Sequence, residues 1–265
     1  MELKTKYGDT AMIAGASEGI GAAFAEELAS HGFNLILIAR RMEPLQRLAG
    51  ELEARYKVST RCLPCDLSAE RAAEQVMASL EGAEPGILIY NAALSHIGSF
   101  IEHPLEGHCK AARVNMITPM KLVHLLGGKM LDRGKGAVIL MSSMAGLQGS
   151  GYLATYAATK AFNRVLAESL WYEWKERGVD MMACCAGATA TPGYLNSGPE
   201  KTSLFAPAVM KPGEVVRECF RRLGRKPSFI TGRANRAASF FMQRMLSRKG
   251  AIEIMGDNTS KMYRI

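Results

Sequence analysis

Seven short apolar runs, at residues 10–14, 35–39, 61–64, 87–90, 137–141, 180–185 and 228–231, are separated by longer stretches with helical spacing. This alternation constrains the fold more than any other feature of the chain. Runs such as Ile87-Leu88-Ile89-Tyr90 are apolar throughout, as expected of strands covered by helices on both faces of a parallel sheet. The intervening stretches 20–30, 44–56, 69–80, 108–132 and 155–176 read as helices, and Lys211-Pro212-Gly213-Glu214 opens another that runs to about residue 223. Gly32 is placed to end the first helix and Ser68 to cap the third. Regular strand–helix alternation implies βαβ crossovers. The expected fold is therefore a single-domain, doubly wound α/β (Rossmann) fold over residues 1–265, with a parallel sheet of about seven strands and helices on both faces.

Two regions depart from this rhythm. Residues 186–212 are rich in Gly, Pro, Ser, Thr and Asn and read as a long loop of the kind that covers a substrate. Residues 233–265 form a basic C-terminal segment, within which 233–249 is amphipathic and carries Phe240, Phe241, Met242, Met245 and Leu246. That apolar face has four possible partners: the domain itself, a second subunit, the substrate, or a membrane surface.

Charge follows the same division. The net charge of +8 comes from the last quarter, where 14 Lys and Arg stand against 4 Asp and Glu from residue 201 onward; the first 200 residues hold 19 against 21. Aromatic residues do not interleave with the basic ones, so no nucleic-acid partner is expected. Cys62-Leu-Pro-Cys65 has a redox-like spacing, but it lies in a strand and lacks the second pair or histidines of a metal site, so structural thiols and no metal are expected. The opening Met1-Glu-Leu-Lys-Thr-Lys-Tyr7 has no signal-peptide pattern and no apolar run approaches a membrane span, which points to a cytoplasmic protein.

The first strand runs into Gly15-Ala-Ser-Glu-Gly19-Ile-Gly21 and directly into a helix. Such a turn lets the backbone approach a pyrophosphate, while the helix N-terminus offers free N–H groups and partial positive charge. Gly15, Ser17, Gly19, Ile20 and Gly21 are accordingly candidate cofactor-binding residues. At the end of the second strand, where NAD-binding sites place an acid on the ribose, this chain has Arg40-Arg41. Paired guanidinium groups suit a 2′-phosphate, and Ser17 can add a hydroxyl to it, so the cofactor expected is NADP(H).

Tyr156 and Lys160 stand four residues apart near the start of the longest helical stretch, and so share one helix face. A cation beside a phenol lowers its pKa and fits it for proton transfer to or from an alcohol. Ser142-Ser143 follows the fifth strand, at the sheet edge where such folds bind ligands, so Ser143 is placed to hold a substrate oxygen.

With Asp66, Asn91-Ala92, Asn115 and Thr191 added in order, the whole chain resembles the short-chain dehydrogenase/reductases. The resemblance implies that Tyr156 is the general acid/base, that Ser143 polarises the substrate oxygen, and that Lys160 binds the nicotinamide ribose while depressing the phenol. It also implies that Asn115 anchors a proton-relay water, and that Asp66 and Leu67 lie at the adenine. Asn91 and Ala92 would lie at the cofactor ribose, and Thr191 at the carboxamide. Homodimers or homotetramers are implied too. Ala14, Ala93 and Ala186 depart from the usual family residues at their positions, all near the cofactor backbone.

The loop 186–212, residues 94–100 and the C-terminal segment supply an apolar inventory that includes Leu94, Ile97, Phe100, Met144, Tyr152, Tyr194, Leu204, Phe205 and Met210. This suits a bulky lipophilic small molecule. Leu3-Lys4-Thr5-Lys6-Tyr7-Gly8, Arg40-Arg41 and Ala208-Val209-Met210-Lys211-Pro212 further resemble bacterial NADP-dependent hydroxysteroid dehydrogenases that act on bile acids, whose carboxylate the basic tail would suit. A 3-oxoacyl-thioester reductase is the alternative enzyme, and a non-catalytic NADP(H) sensor the alternative of another class.

Overall fold

The computed structural model describes residues 2–199 and 208–265, so Leu204 and Phe205 lie outside the described residues. Seven parallel strands form one sheet: β1 (Thr10–Ala14), β2 (Asn34–Ala39), β3 (Thr60–Pro64), β4 (Ile87–Tyr90), β5 (Gly136–Ser143), β6 (Val179–Ala186) and β7 (Ser228–Ile230). Their spatial order is 3-2-1-4-5-6-7. β1 pairs with β2 on one side, Ala11 opposite Leu35, and with β4 on the other, Ala11 opposite Ile87. Successive crossovers therefore leave β1 in opposite directions, which opens a crevice at the carboxyl ends of β1 and β4.

The helices are α1 (Glu2–Tyr7), α2 (Gly19–Ser30), α3 (Met42–Tyr56), α4 (Ala72–Ala78), α5 (Leu105–Ala112), α6 (Thr118–Asp132), α7 (Ala154–Trp174), α8 (Pro192–Asn196), α9 (Pro212–Arg222), α10 (Arg233–Arg244) and α11 (Arg248–Tyr263). Alternate strand residues feed two cores. Ile13, Leu37, Ile89 and Ile139 face α2, α3 and α9 through Phe24, Leu28, Leu45, Leu52 and Val215. Met12, Ile38, Leu88 and Leu140 face α4, α6 and α7 through Val76, Leu122, Leu126 and Trp174. Each such fully buried aliphatic side chain contributes about 1.5–3 kcal/mol of transfer free energy, which is why both faces of these strands are apolar.

Several boundaries differ from those read in the sequence, each for a local reason. The helix expected at 69–80 is the shorter α4, and Ser68 does not cap it. Instead the Asp66 carboxylate accepts hydrogen bonds from Ser68 N (2.9 Å) and Ser68 Oγ (2.8 Å), and this turn holds the chain until Ala72. The helix expected at 108–132 begins earlier, at Leu105, and is interrupted by a π-helical segment, Arg113–Ile117, with Asn115 at its centre. β5 extends to Ser143, so Ser142 and Ser143 end the strand rather than follow it. The amphipathic stretch expected at 233–249 stops at Arg244, and a further helix, α11, follows it. Gly32 behaves as expected: it has φ +79°, and it and Phe33 donate to Ala29 O and Leu28 O, closing α2.

The sharpest packing constraint lies where β1 meets α2. A Cβ at Gly21 would stand 1.9 Å from Gly15 O, whereas one at Gly50, in the exposed interior of α3, would meet nothing within 4 Å. Gly50→Ala is expected to raise stability by about 0.5–1 kcal/mol, the ordinary helix-propensity gain. Gly21→Ala should instead lower it by about 1–3 kcal/mol or more through overpacking, as read by chemical denaturation of both variants.

Candidate active site

The crevice is built from the glycine turn outward. Gly15 has φ +80° and Gly19 φ +61°, and a Cβ at Gly19 would lie 2.8 Å from Thr191 Cγ2. A Cβ at Gly15 would likewise meet Ala92 Cα and N at 2.7 Å, so both positions must stay bare backbone, and a bare turn leading into the α2 N-terminus fits a pyrophosphate. Ala92 packs on Gly15, and the Asn91 amide donates to Gly15 O at 3.0 Å. Asn91 thus braces the turn. The Ile20 side chain packs into the core, leaving its backbone at the helix start, and Ser17 is half-buried within the turn.

Arg40 is exposed immediately beyond β2, and its charge helps to hold the Asp66 carboxyl below the usual range; the main cause of that lowering is the backbone hydrogen bond from Ser68. Arg41 pairs with Glu18 at 3.2 Å, which spans from the α3 start to the glycine turn. Leu67 is buried, with its carbonyl accepting from Thr118 Oγ1 at 2.9 Å. Thr191 caps α8, accepting from Tyr194 N at 3.2 Å. The two ends of the 186–212 loop are joined where Met210 N donates to Ala188 O and Ala190 N donates to Met210 O, both at 2.9 Å.

Ser143, Tyr156 and Lys160 converge at the end of β5. The two serines at its end point to opposite sides. Ser142 Oγ donates to Lys160 O at 2.7 Å, locking α7 to the strand, while Ser143 hydrogen-bonds the Tyr156 phenol. Between them the 3-10 turn Met144–Leu147 presses on α7; a Cβ at Gly146 would meet Ala161 N at 2.6 Å. Asn115 is fully buried and its amide is fully engaged: Oδ1 accepts from Leu94 N (2.8 Å), and Nδ2 donates to Leu94 O (2.8 Å) and Thr159 Oγ1 (3.0 Å). It pins the 94–100 segment beside α7, and the π-helical distortion accommodates this, as such bulges often do at functional sites.

The electrostatics differ from the sequence expectation. Lys160 is 3% exposed, donates to Met141 O at 2.8 Å, and lies 5.5 Å from the Tyr156 ring centroid. Among the described residues no carboxylate offsets its burial, which pushes its pKa down to about 8. The Tyr156 phenol is not depressed. Burial pushes it up, the Ser143 hydrogen bond opposes this, and the neighbouring Tyr263 phenol adds to the rise.

Tyr263 escaped the sequence reading. It ends α11, its hydroxyl lies 3.4 Å from Ser197 Oγ just beyond α8, and after burial it is the second cause that raises the Tyr194 phenol. α11 reaches this place by lying across residues 149–151: a Cβ at Gly151 would stand 3.1 Å from Gly256 Cα, and Ile252 meets Gly149. Gly250, Gly256 and Asn258 weaken the helical signal of this stretch, and the Ser247 cap was its one clear mark. Cys62 and Cys65 are half-buried rather than buried; burial, and secondarily Glu53 and Asp66, raise their thiols, which disfavours redox chemistry. Among the described residues no three metal-ligating side chains cluster.

A doubly wound sheet with a glycine cradle at β1 and a Ser–Tyr–Lys cluster at β5 defines a nucleotide-dependent alcohol oxidoreductase, and residues 9–201 match the short chain dehydrogenase family model. The chain belongs to that family. It is 37% identical to a 7beta-hydroxysteroid dehydrogenase of Collinsella aerofaciens, over 89% of this chain and 90% of that one. A solved structure from work on 7beta-hydroxysteroid dehydrogenase stereoselectivity superposes with a TM-score of 0.89 at 35% identity, covering 96% of this chain and 99% of the other. A short-chain dehydrogenase from Sphingobium yanoikuyae, solved with NADPH, gives 0.76 at 30% identity over 89% and 93%.

Lys160 allows a test by stability. A buried amine with a lowered folded pKa is destabilising below about pH 8, where folded and unfolded states are both protonated. That cost is relieved as pH rises through the lowered pKa towards the unfolded value of 10.5. Lys160→Met should therefore stabilise the protein at pH 7 by up to about 3 kcal/mol, and the gain should shrink between pH 8 and 10.5 in paired denaturant melts.

Proposed function

We propose that the chain is an NADP(H)-dependent hydroxysteroid dehydrogenase that interconverts a secondary alcohol and a ketone on a steroid nucleus, with bile acids the best-fitting substrates. The convergence of Ser143, Tyr156 and Lys160 at the mouth of the crevice carries the reading, and kinship with 7beta-hydroxysteroid dehydrogenases supports the substrate. When bound, the nicotinamide supplies or accepts the hydride.

The chain's own residues supply everything else. Tyr156 Oη gives its proton to the carbonyl oxygen in reduction and recovers it in oxidation, and a phenol kept protonated by burial is ready for the first of these. Ser143 Oγ holds the same oxygen and stabilises the phenol's conjugate base. Lys160 binds the ribose hydroxyls and, on turning from Met141 O, brings positive charge to the phenolate. Asn115 anchors the relay water through its backbone, because its side-chain amide is already engaged. Gly15, Ser17, Gly19, Ile20 and Gly21 receive the pyrophosphate end, and Arg40 with Arg41 receives the 2′-phosphate. Asp66 and Leu67 border the adenine, Asn91 and Ala92 the ribose, and Thr191 the carboxamide. Tyr194 and Tyr263 wall the substrate side, where amphipathic rings suit a lipophilic body with polar substituents.

NADPH oxidation should proceed with 7-oxo bile acids and be far slower with acetoacetyl thioesters. Faster turnover of the thioester would replace this reading with an oxoacyl reductase, and silence across the panel would replace it with a cofactor sensor. Tyr156→Phe should lower kcat by about 10²–10⁴-fold, the range for loss of a general acid, while NADPH affinity stays within about twofold. Substantial residual turnover would remove Tyr156 from the chemistry. Replacing Arg40 and Arg41 together by Ser should weaken NADPH by about tenfold or more relative to NADH in fluorescence titration, since the charge-assisted bonds lost are specific to the 2′-phosphate. Equal losses for the two cofactors would argue against that contact.

A further inference from the structure

α10 turns its large apolar side chains outward. Its inward stripe is Asn235, Ser239 and the half-buried Met242, of which Asn235 and Ser239 are 2% and 4% exposed. Its outward stripe, spaced at i, i+4, i+7, i+8, i+11 and i+12, is Arg233, Ala237, Phe240, Phe241, Arg244 and Met245. Phe240 is 66% exposed, Phe241 48% and Met245 67%. Arg248 and Lys249 continue the basic rim into α11, and residues 233–265 hold seven Lys and Arg against two acids, Glu253 and Asp257. Glu253 is already engaged by Lys249 at 3.7 Å, and Arg236 is tied inward to Glu218 at 2.8 Å.

We infer that this face docks on an anionic lipid bilayer surface, with Phe240, Phe241 and Met245 entering the headgroup–acyl boundary and Arg233, Arg244, Arg248 and Lys249 meeting lipid phosphates. Two properties select this occupant. Large apolar side chains flanked by cations on one stripe of a helix are the pattern of in-plane interfacial helices. Charge complementarity also disfavours a second copy of the chain, because a two-fold contact would bring two such basic stripes face to face with almost no acid to offset them. No helix among the described residues is long and apolar enough to cross a membrane, so the association is peripheral.

Co-sedimentation of the full chain with extruded vesicles tests this. Partitioning into phosphatidylcholine vesicles with about 30% phosphatidylglycerol should exceed that into pure phosphatidylcholine by about tenfold or more at low salt, because each cation near an anionic surface contributes roughly a fivefold factor. It should collapse near 0.5 M NaCl, where the screening length is only a few ångströms (~4 Å). Phe240→Ser/Phe241→Ser/Met245→Ser and, separately, Arg244→Glu/Arg248→Glu should each lower partitioning at least about tenfold by removing the apolar insertion or the charge. Both variants should keep wild-type turnover and melting temperature. Equal binding to neutral and anionic vesicles, or binding to neither, overturns the proposal. So does light scattering in which wild type is oligomeric and the triple-serine variant is smaller, which would make the face a contact between copies.

Discussion

The docking of α7 onto the end of β5 sets the geometry on which the rest of the site depends. One hydroxyl, Ser142 Oγ, holds the Lys160 carbonyl, one missing side chain, at Gly146, lets the Met144–Leu147 turn press on the helix, and the Lys160 ammonium reaches back to Met141 O. With those three contacts made, the next strand residue, Ser143, falls beside the phenol one turn before the lysine. Strand alternation does the sorting: consecutive serines must face opposite sides, so one becomes structural and the other is left for chemistry. A shift of register by one residue would exchange their roles and lose both.

That seam also explains where stability is spent. A buried ammonium is among the more costly features a core can hold, and here the Met141 carbonyl oxygen is the acceptor that partly offsets it. The protein tolerates it because the surrounding strands are apolar on both faces and the α4, α6 and α7 core is continuous beneath it. A carboxylate beside Lys160 would remove the cost, but it would also neutralise the charge that the phenolate needs. The strain and the activity thus have one origin.

Legibility in the sequence followed the range of the interactions involved. Fully apolar runs and helical spacing made the seven strands and most helices readable, because burial on both faces leaves a local signature. The glycine turn and the Tyr156/Lys160 spacing were readable for the same reason. What stayed hidden depends on distant partners. The π-helical break at Asn115 arises from bonds to Leu94 and Thr159, 21 and 44 residues away. The shortened α4 arises from an Asp66–Ser68 turn that competes with the helix start. Lys160's lowered pKa and the raised phenol depend on how deeply both are enclosed, and spacing along a helix carries no information about that. Tyr263 is the extreme case, brought to a site 107 residues upstream by a glycine-on-glycine crossing at Gly151 and Gly256.

The C-terminal quarter shows why composition alone misleads about partners. Its basicity at first matched a carboxylate-bearing substrate, yet its last two helices divide the work. α11 ends with the Tyr263 phenol beside the catalytic cluster, its hydroxyl 3.4 Å from Ser197 Oγ. Exposed cations line α10 and the first turn of α11, on the stripe that carries the exposed phenylalanines, while Lys261 and Arg264 flank Tyr263 at the far end of α11. One quarter of the chain thus meets two surroundings: its last residues close on the Ser–Tyr–Lys cluster, while the apolar and basic stripe of α10 faces outward.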